Sequence, residues 1–585
     1  MTRFEVWAPR ARKVELVLPD GRLGMRRGDG GWWRRESAPP PGTDYAFSLD
    51  GGEPLPDPRS RCQPRGVLGF SRTVDAARYD WSDLAFRPEE LSRAVFYELH
   101  VGTFSAEGTF GGAIPHLDHL RELGVTHVEL MPVAAFSGER GWGYDGVALW
   151  APHTAYGTPD ELRDLVSACH ERGLAVVFDV VHNHLGPEGN FLPRFGPYFS
   201  ERHQTAWGAA PNLDGPDSDE VRRFFIESAL VWLRDYHGDG LRLDAVHALA
   251  DTSPLPFLEE LRAAVDSLAL AVGRPLFLIA ESDANDPRLV RPRHAGGSGV
   301  DAMWCDDFHH ALHALVTGER AGYYADFGGC AELVDALARG MVYAGRYSAY
   351  RRRRHGRADP ELTGAKLVAF VQNHDQIGNR ARGDRLAASL PPARLRVLAG
   401  LLFTAPFVPL IFQGEEWGSA APFPFFCDYR DAKLRDTVRS GRRQALRAGS
   451  DDAEDAADPC ARETFLAAKL DWRELLQARH REMLDWYRAL IALRRRWRWL
   501  GAGRFLGPEV RCSEKASWVT FVRGPLQVVA HFGPEPVSLA LDPSAPRTPV
   551  LASRSDFRIE GDRIELPADT FAVLGPGLPA PSDRL

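Results

Sequence analysis

Thr158-Pro-Asp-Glu-Leu-Arg-Asp-Leu-Val-Ser-Ala-Cys-His-Glu-Arg-Gly-Leu-Ala-Val-Val-Phe-Asp-Val180 is the stretch on which the fold turns. Its first half, to Arg172, carries apolar residues at helical spacing. Thr158 reads as an N-cap, with proline in the first helical position, where its missing N–H costs nothing. The second half, from Ala175, is a short β-rich run. A strand alternating with an amphipathic helix is the unit from which parallel sheets are built.

Outward from this unit the pattern repeats. Candidate strands begin near Val95, Thr126, Ala175, Gly240, Leu276, Ala302, Lys366 and Pro409, and helical stretches such as Ser218 to Tyr236 lie between them. A last helix, Arg479 to Leu500, closes the series. Eight strands is the count of a closed (β/α)8 TIM barrel, so the fold class expected is α/β. Residues 1–90 instead show short alternating segments broken by Pro-Asp-Gly and Pro-Pro-Pro-Gly turns, as in a small antiparallel β-sandwich. It leaves through an extended connector, Pro54 to Arg61. Short strands return after Gly501. The expected division is a sandwich over 1–90, a catalytic barrel over 91–500 with a long loop after its third strand, and a β-domain over 501–585. The acidic, Ala-rich stretch Ala448 to Ala461 reads as a surface excursion within the last βα unit.

Composition narrows the function classes. The 585 residues hold 71 Lys and Arg against 79 Asp and Glu, a net charge of −8, which disfavours a protein held on nucleic acid by bulk electrostatics. The run Arg351-Arg-Arg-Arg354 then reads as a solvated or salt-bridged loop that could also edge a cleft. Seven cysteines without a C-x-x-C pair suggest neither a disulfide framework nor a zinc site, and the expectation is reduced structural thiols. The start of the chain lacks the pattern of a secretory signal. The longest apolar run, Val397 to Phe412, is shorter than the about 20 residues of a membrane span and holds two prolines. A cytoplasmic protein with no membrane association is expected.

Working groups of a TIM barrel sit at the C-terminal ends of its strands. Three strands end there in a carboxylate: Asp244, Glu281 and Asp375. Arg242, two residues before Asp244, shares its face of the strand, and a guanidinium beside a carboxylate keeps it ionised. An ionised Asp near a Glu in more apolar surroundings is what a retaining glycosidase needs, one group as nucleophile and the other as proton donor, roughly 5–5.5 Å apart. Asp375 would hold substrate hydroxyls. No Gly-rich phosphate loop joins an early strand to a helix, which disfavours a dinucleotide enzyme.

At these residues the sequence resembles the α-amylase superfamily, glycoside hydrolase family 13, over essentially the whole chain. Four motifs appear in the family's order: Asp179-Val-Val-His-Asn-His, Gly240-Leu-Arg-Leu-Asp-Ala-Val-His, Ile279-Ala-Glu-Ser and Val371-Gln-Asn-His-Asp. The resemblance implies Asp244 as nucleophile, Glu281 as acid/base and Asp375 as transition-state stabiliser. It implies Arg242, His184 and His374 as residues that orient the nucleophile and bind sugar, with Asp179 and Asn183 supporting them from behind. Tyr144 resembles the aromatic floor under the sugar, and His247 closes the second motif among the substrate-binding candidates. Neither metal nor cofactor is implied. Where many α-1,4- or α-1,6-acting members have an Asp three residues before that tyrosine, this chain has Gly141.

Further stretches, among them Tyr97-Glu-Leu-His-Val-Gly-Thr-Phe, Gly141-Trp-Gly-Tyr-Asp-Gly and Ile411-Phe-Gln-Gly-Glu-Glu-Trp-Gly, are similar to the branch acting on maltooligosyltrehalose. That resemblance implies hydrolysis of the α-1,4 bond next to the terminal trehalose, releasing trehalose and a maltooligosaccharide with retention. It also implies a maltooligosyltrehalose synthase as functional partner, without a stable complex. Branching enzymes typically have Pro-Gly-His at the third strand, whereas debranching enzymes keep Asn-His. An α-1,6 debranching or α-1,4 transferring activity is therefore the alternative, and a non-catalytic glucan-binding scaffold is a third reading. The loop after strand three is rich in aromatics (Phe191, Phe195, Tyr198, Phe199, Trp207), which with Trp142 are expected to wall a pocket for the trehalose end. The N-terminal sandwich resembles a glycogen-binding module, while Trp32 and Trp33 fit core or interdomain packing equally well.

Overall fold

A computed structural model describes residues 4–36, 39–205, 207–449, 455–513, 515 and 517–576. Its centre is a closed barrel of eight parallel strands in chain order. They are β1 (Phe96–Leu99), β2 (His127–Leu130), β3 (Ala175–Val180), β4 (Gly240–Leu243), β5 (Phe277–Ala280), β6 (Ala302–Trp304), β7 (Leu367–Phe370) and β8 (Val408–Phe412). Each lies where the sequence pattern puts a strand, and β8 closes the barrel on β1 through the register Ile411 to Tyr97.

Strand residues alternate between two cores. Phe96, Val177, Phe277, Ile279, Trp304, Val368, Phe370 and Leu410 form one apolar cluster, while the intervening residues join a larger cluster with the helices. Fully burying a side chain such as Phe370 contributes roughly 1.5–3 kcal/mol, and truncating it to Ala would cost about 3–5 kcal/mol once the cavity is included. The helix Pro159–Glu171 starts where its sequence says: the Thr158 hydroxyl accepts from Glu161 N–H (3.2 Å), and the Glu161 carboxylate accepts from Thr158 N–H (2.7 Å). The helices Ser218–Arg234 and Ala478–Arg496 fill the other two expected stretches.

At the N-terminal end, Phe4–Trp7 pairs antiparallel with Trp32–Arg35, and a four-stranded sheet holds Val14–Leu18 and Asp44–Leu49. Trp32 and Trp33 are buried. The Trp33 indole N–H donates to Ala8 O (3.1 Å), and the Arg59 guanidinium stands 5.0 Å over Trp32 and 4.9 Å over Trp150 of the barrel. The stretch expected as an extended connector is thus a clasp: Arg59 also pairs with Glu227 and Arg61 with Asp235, both on the barrel side. At the other end, five- and three-stranded antiparallel sheets follow the last helix. They dock on the helix Pro392–Thr404 through Phe571, whose ring a Cβ on Gly400 would meet at 2.6 Å. Part of the Ala448 to Ala461 stretch, residues 450–454, lies outside the described residues. Among the described residues no helix is long and apolar enough to cross a membrane.

Candidate active site

Parallel register brings the first two carboxylates together. Leu243 pairs with Ala280, so the next residues, Asp244 and Glu281, leave adjacent strands side by side. Glu281 N–H donates to Leu243 O and Val246 N–H to Glu281 O, each at 2.9 Å, continuing the ladder past both residues. Neighbouring strands lie about 4.7–4.9 Å apart, which sets the spacing of the two side-chain origins. Ala245 between them is left-handed (φ 38°), and its N–H donates to Glu281 Oε2.

Arg242 ties the acids to one cation. It is 2% exposed and donates to Asp244 Oδ1 (2.9 Å) and Asp179 Oδ2 (2.7 Å), while its other terminal nitrogen is 3.5 Å from Glu281 Oε2. One planar fork thus faces three carboxylates, a geometry a lysine could not reproduce. Trp304 backs it, with the guanidinium carbon 4.3 Å from the ring centroid. Asp244 is held from the other side by the Asn183 amide, which donates to Oδ2 and to the backbone carbonyl, both at 2.8 Å. Asn183 Oδ1 in turn contacts His184 Nδ1.

Glu281 is set apart by its surroundings. Burial pushes its carboxyl up to about 8; Arg242 opposes this, and Asp244, Asp306 and Asp375 reinforce it. A carboxylic acid that keeps its proton at neutral pH is competent as a general acid. Asp306, at the end of β6, is likewise raised by burial and by Asp375, to about 7.

Asp375 is exposed at the start of the short helix His374–Gly378, where its N–H donates to Asn373 Oδ1 (2.9 Å). His374 is buried. Its Nδ1 pairs with the carboxylate of Glu98, and its ring stacks on Tyr144 at 5.1 Å. Burial lowers the imidazole's affinity for a proton, but Glu98 outweighs it and holds His374 above the ordinary histidine range. Half-buried Tyr144 donates to Asp179 Oδ2 (2.6 Å). His247 is exposed on the rim, 3.8 Å from Asp283.

The expected aromatic wall divides. Trp142 is buried, stacked on Phe423 (5.3 Å) and edge-on to His374, with its N–H donated to Pro424 O, so it packs behind His374 rather than facing open space. Phe195 and Tyr198 are also buried, Tyr198 against Trp7 of the N-terminal sheets. Phe191 and Phe199 are half-buried. Trp207 is different: it is 54% exposed and stacked on His184 at 4.8 Å. At Gly141 a Cβ would meet the Phe136 ring at 2.9 Å, and Gly141 O is 2.9 Å from His100 Nε2. No side chain can be added there without moving Phe136. Arg351, the first residue of the arginine run, pairs with Asp283, two residues beyond Glu281, at 2.9 Å.

The structure brings in Glu98, Trp304, Asp306 and Asp283, none of which the sequence reading selected. Glu98 carried a signal: it follows Phe96 by two on β1, so a carboxylate stands on the strand's barrel-facing side.

Comparison with known proteins places this geometry. A malto-oligosyltrehalose trehalohydrolase of Arthrobacter ramosus is 50% identical over 92% of this chain and 94% of its own length. The chain belongs to the malto-oligosyltrehalose trehalohydrolase family. Another relative of that name, from Rhizobium sp. (strain M-11), is 46% identical over 98% of this chain and 97% of its own. The model of the alpha amylase catalytic domain matches residues 99–206. A Salmonella typhimurium protein solved by crystallography under the name alpha amylase superposes with a TM-score of 0.89 at 38% identity, covering 98% of this chain and 97% of that one.

Proposed function

We propose that the chain is a retaining glycoside hydrolase that cleaves the α-1,4-glucosidic bond next to the terminal trehalose of maltooligosyltrehalose, releasing trehalose and a maltooligosaccharide. The observation that carries this reading is the Asp244–Glu281 pair, adjacent by register and fixed on one guanidinium, with the glutamate's carboxyl raised to about 8. The names of the relatives supply the bond that is cut.

In this mechanism Glu281 gives its proton to the leaving glycosidic oxygen while Asp244 attacks the anomeric carbon. The ionised Glu281 then takes a proton from water, which releases the sugar from Asp244 with net retention. Arg242 and Asn183 hold Asp244 in line throughout. Asp375 binds hydroxyls of the distorted ring, His184 and His374 contact the same sugar, and Tyr144 lies beneath it with Asp179 fixing its hydroxyl. Trp207, exposed on the strand-three loop, contacts the trehalose end. The enzyme acts in the cytoplasm on the product of a maltooligosyltrehalose synthase, with no stable complex between the two.

Incubation with maltopentaosyltrehalose and, separately, with maltoheptaose and pullulan tests the reading by chromatography of the products. Trehalose from the first substrate, with little hydrolysis of the others, is expected. Release of maltotriose from pullulan at a comparable rate would replace the proposal by a debranching activity.

A further inference from the structure

Two of the seven cysteines meet at the neck of a segment whose described residues touch loops around the proposed site. Cys427, after β8, and Cys460 have their sulfur atoms 3.6 Å apart, and Cys427 N–H donates to Pro459 O at 2.8 Å, so the two backbones already run side by side. Between them the chain touches three loops around the proposed site. Asp428 accepts from Arg140 Nη2 (2.7 Å) and Glu139 N–H (2.9 Å), and Glu188 accepts from the N–H groups of Arg430 (3.0 Å) and Asp431 (2.9 Å). From the helix Ala432–Gly449, Arg442 donates to Gly378 O and to Asn379 Oδ1 (3.2 Å), directly beyond Asp375.

We propose that Cys427 and Cys460 form a dithiol site that small-molecule disulfides oxidise reversibly, latching the neck of this segment. A bond needs the sulfurs drawn from 3.6 Å to about 2.05 Å, a shift that side-chain rotation can supply where the backbones are already adjacent. Cys460 is partly exposed and Cys427 is buried, which sets the order of events. The Cys460 thiolate attacks one sulfur of the oxidant and expels one thiol. Cys427 then attacks Cys460 in the mixed disulfide and expels the second. Two protons leave the protein, and its two electrons reduce one molecule of oxidant to two thiols. The latch closes a loop that the unfolded chain would otherwise leave open, so it opposes unfolding of the segment between the two cysteines.

Glutathione disulfide is the probe, applied to the full-length protein at mildly alkaline pH, with peptide mapping under non-reducing conditions. A Cys427–Cys460 cross-linked peptide, two hydrogens lighter than its reduced parts and reversed by dithiothreitol, is expected. So is a several-fold longer half-life of activity on heating. Phenylarsine oxide, which bridges neighbouring thiols, gives an independent readout: one equivalent bound to the native protein, and none at this pair in Cys427→Ser or Cys460→Ser. Glutathione left on Cys460 with no cross-link, or an arsenical bound equally well by the serine variants, would overturn the site. A cross-link that leaves the half-life unchanged would overturn the latch.

Discussion

Glu281→Gln keeps the size and shape of the proposed acid and removes its proton. With its carboxyl at about 8, Glu281 is roughly 90% protonated at pH 7; at its ordinary value of 4.5 well under 1% would be. Positioned general acid catalysis is worth about 10²–10⁴ in rate, or roughly 2.7–5.5 kcal/mol of barrier, and the variant should lose at least that factor in kcat with KM little changed. The wild-type profile carries the same information. kcat/KM should fall about tenfold per pH unit above the Glu281 value, because only the acid form donates. Stability gives a third reading with its own sign. The folded-state carboxyl sits above its unfolded value, so the folded protein binds more protons, and stability is lost as pH rises from about 4.5 through 8. Glu281→Gln should therefore melt higher than wild type at alkaline pH while being nearly inactive. The assay is trehalose release from maltopentaosyltrehalose across the pH range, with thermal melts in parallel. A variant keeping more than about a tenth of wild-type kcat, or an alkaline limb that starts near the ordinary carboxylate range, would refute the assignment.

Further outcomes follow from other contacts. Arg242→Met leaves Asp179, which is 1% exposed, without its cation and should cost about 3–5 kcal/mol, read as an earlier midpoint in urea; an unshifted midpoint would contradict the pairing. Below the barrel, His170 lies between Asp83 (2.7 Å) and Asp239 (3.0 Å). Burial opposes both charges at that contact, yet the carboxylates hold His170 above, and His170 and His237 hold Asp83 well below, their ordinary values. The His170 contribution is complete below about 6.5 and lost as pH rises through its folded value, while that of Asp83 is complete above about 3.9 and lost on acidification. Melting temperature should peak between those limits, and His170→Asn should flatten the peak; a variant with the wild-type profile would exclude a stabilising role for the His170 contacts with Asp83 and Asp239. Trp207→Ala should raise the yield of maltose relative to trehalose, and an unchanged product ratio would remove this residue from the trehalose end.

Much of this was legible along the chain because the signals are local. Strand periods, the Thr158–Glu161 cap and four motifs sited at strand ends each depend on residues within one element, and all eight barrel strands lie where the pattern puts them. The motifs also selected Asp179, Asp244 and Glu281, the three carboxylates that the structure gathers on Arg242. Aromatic content in the strand-three loop was a poorer guide, since composition does not say which rings face solvent: Tyr198 serves the junction with Trp7 and Trp142 backs His374, leaving Trp207 exposed.

The sequence by itself thus determined the element order, the parallel barrel and the three carboxylates, since periodicity and strand-end position are properties of short segments. Tertiary structure alone decided the charge state of Glu281, the partnership of Glu98 with His374, and the meeting of Cys427 with Cys460. Each is a matter of what surrounds a side chain in space: desolvation and the sum of nearby charges are set by residues far apart in the chain, which only the closed barrel and its loops bring within reach.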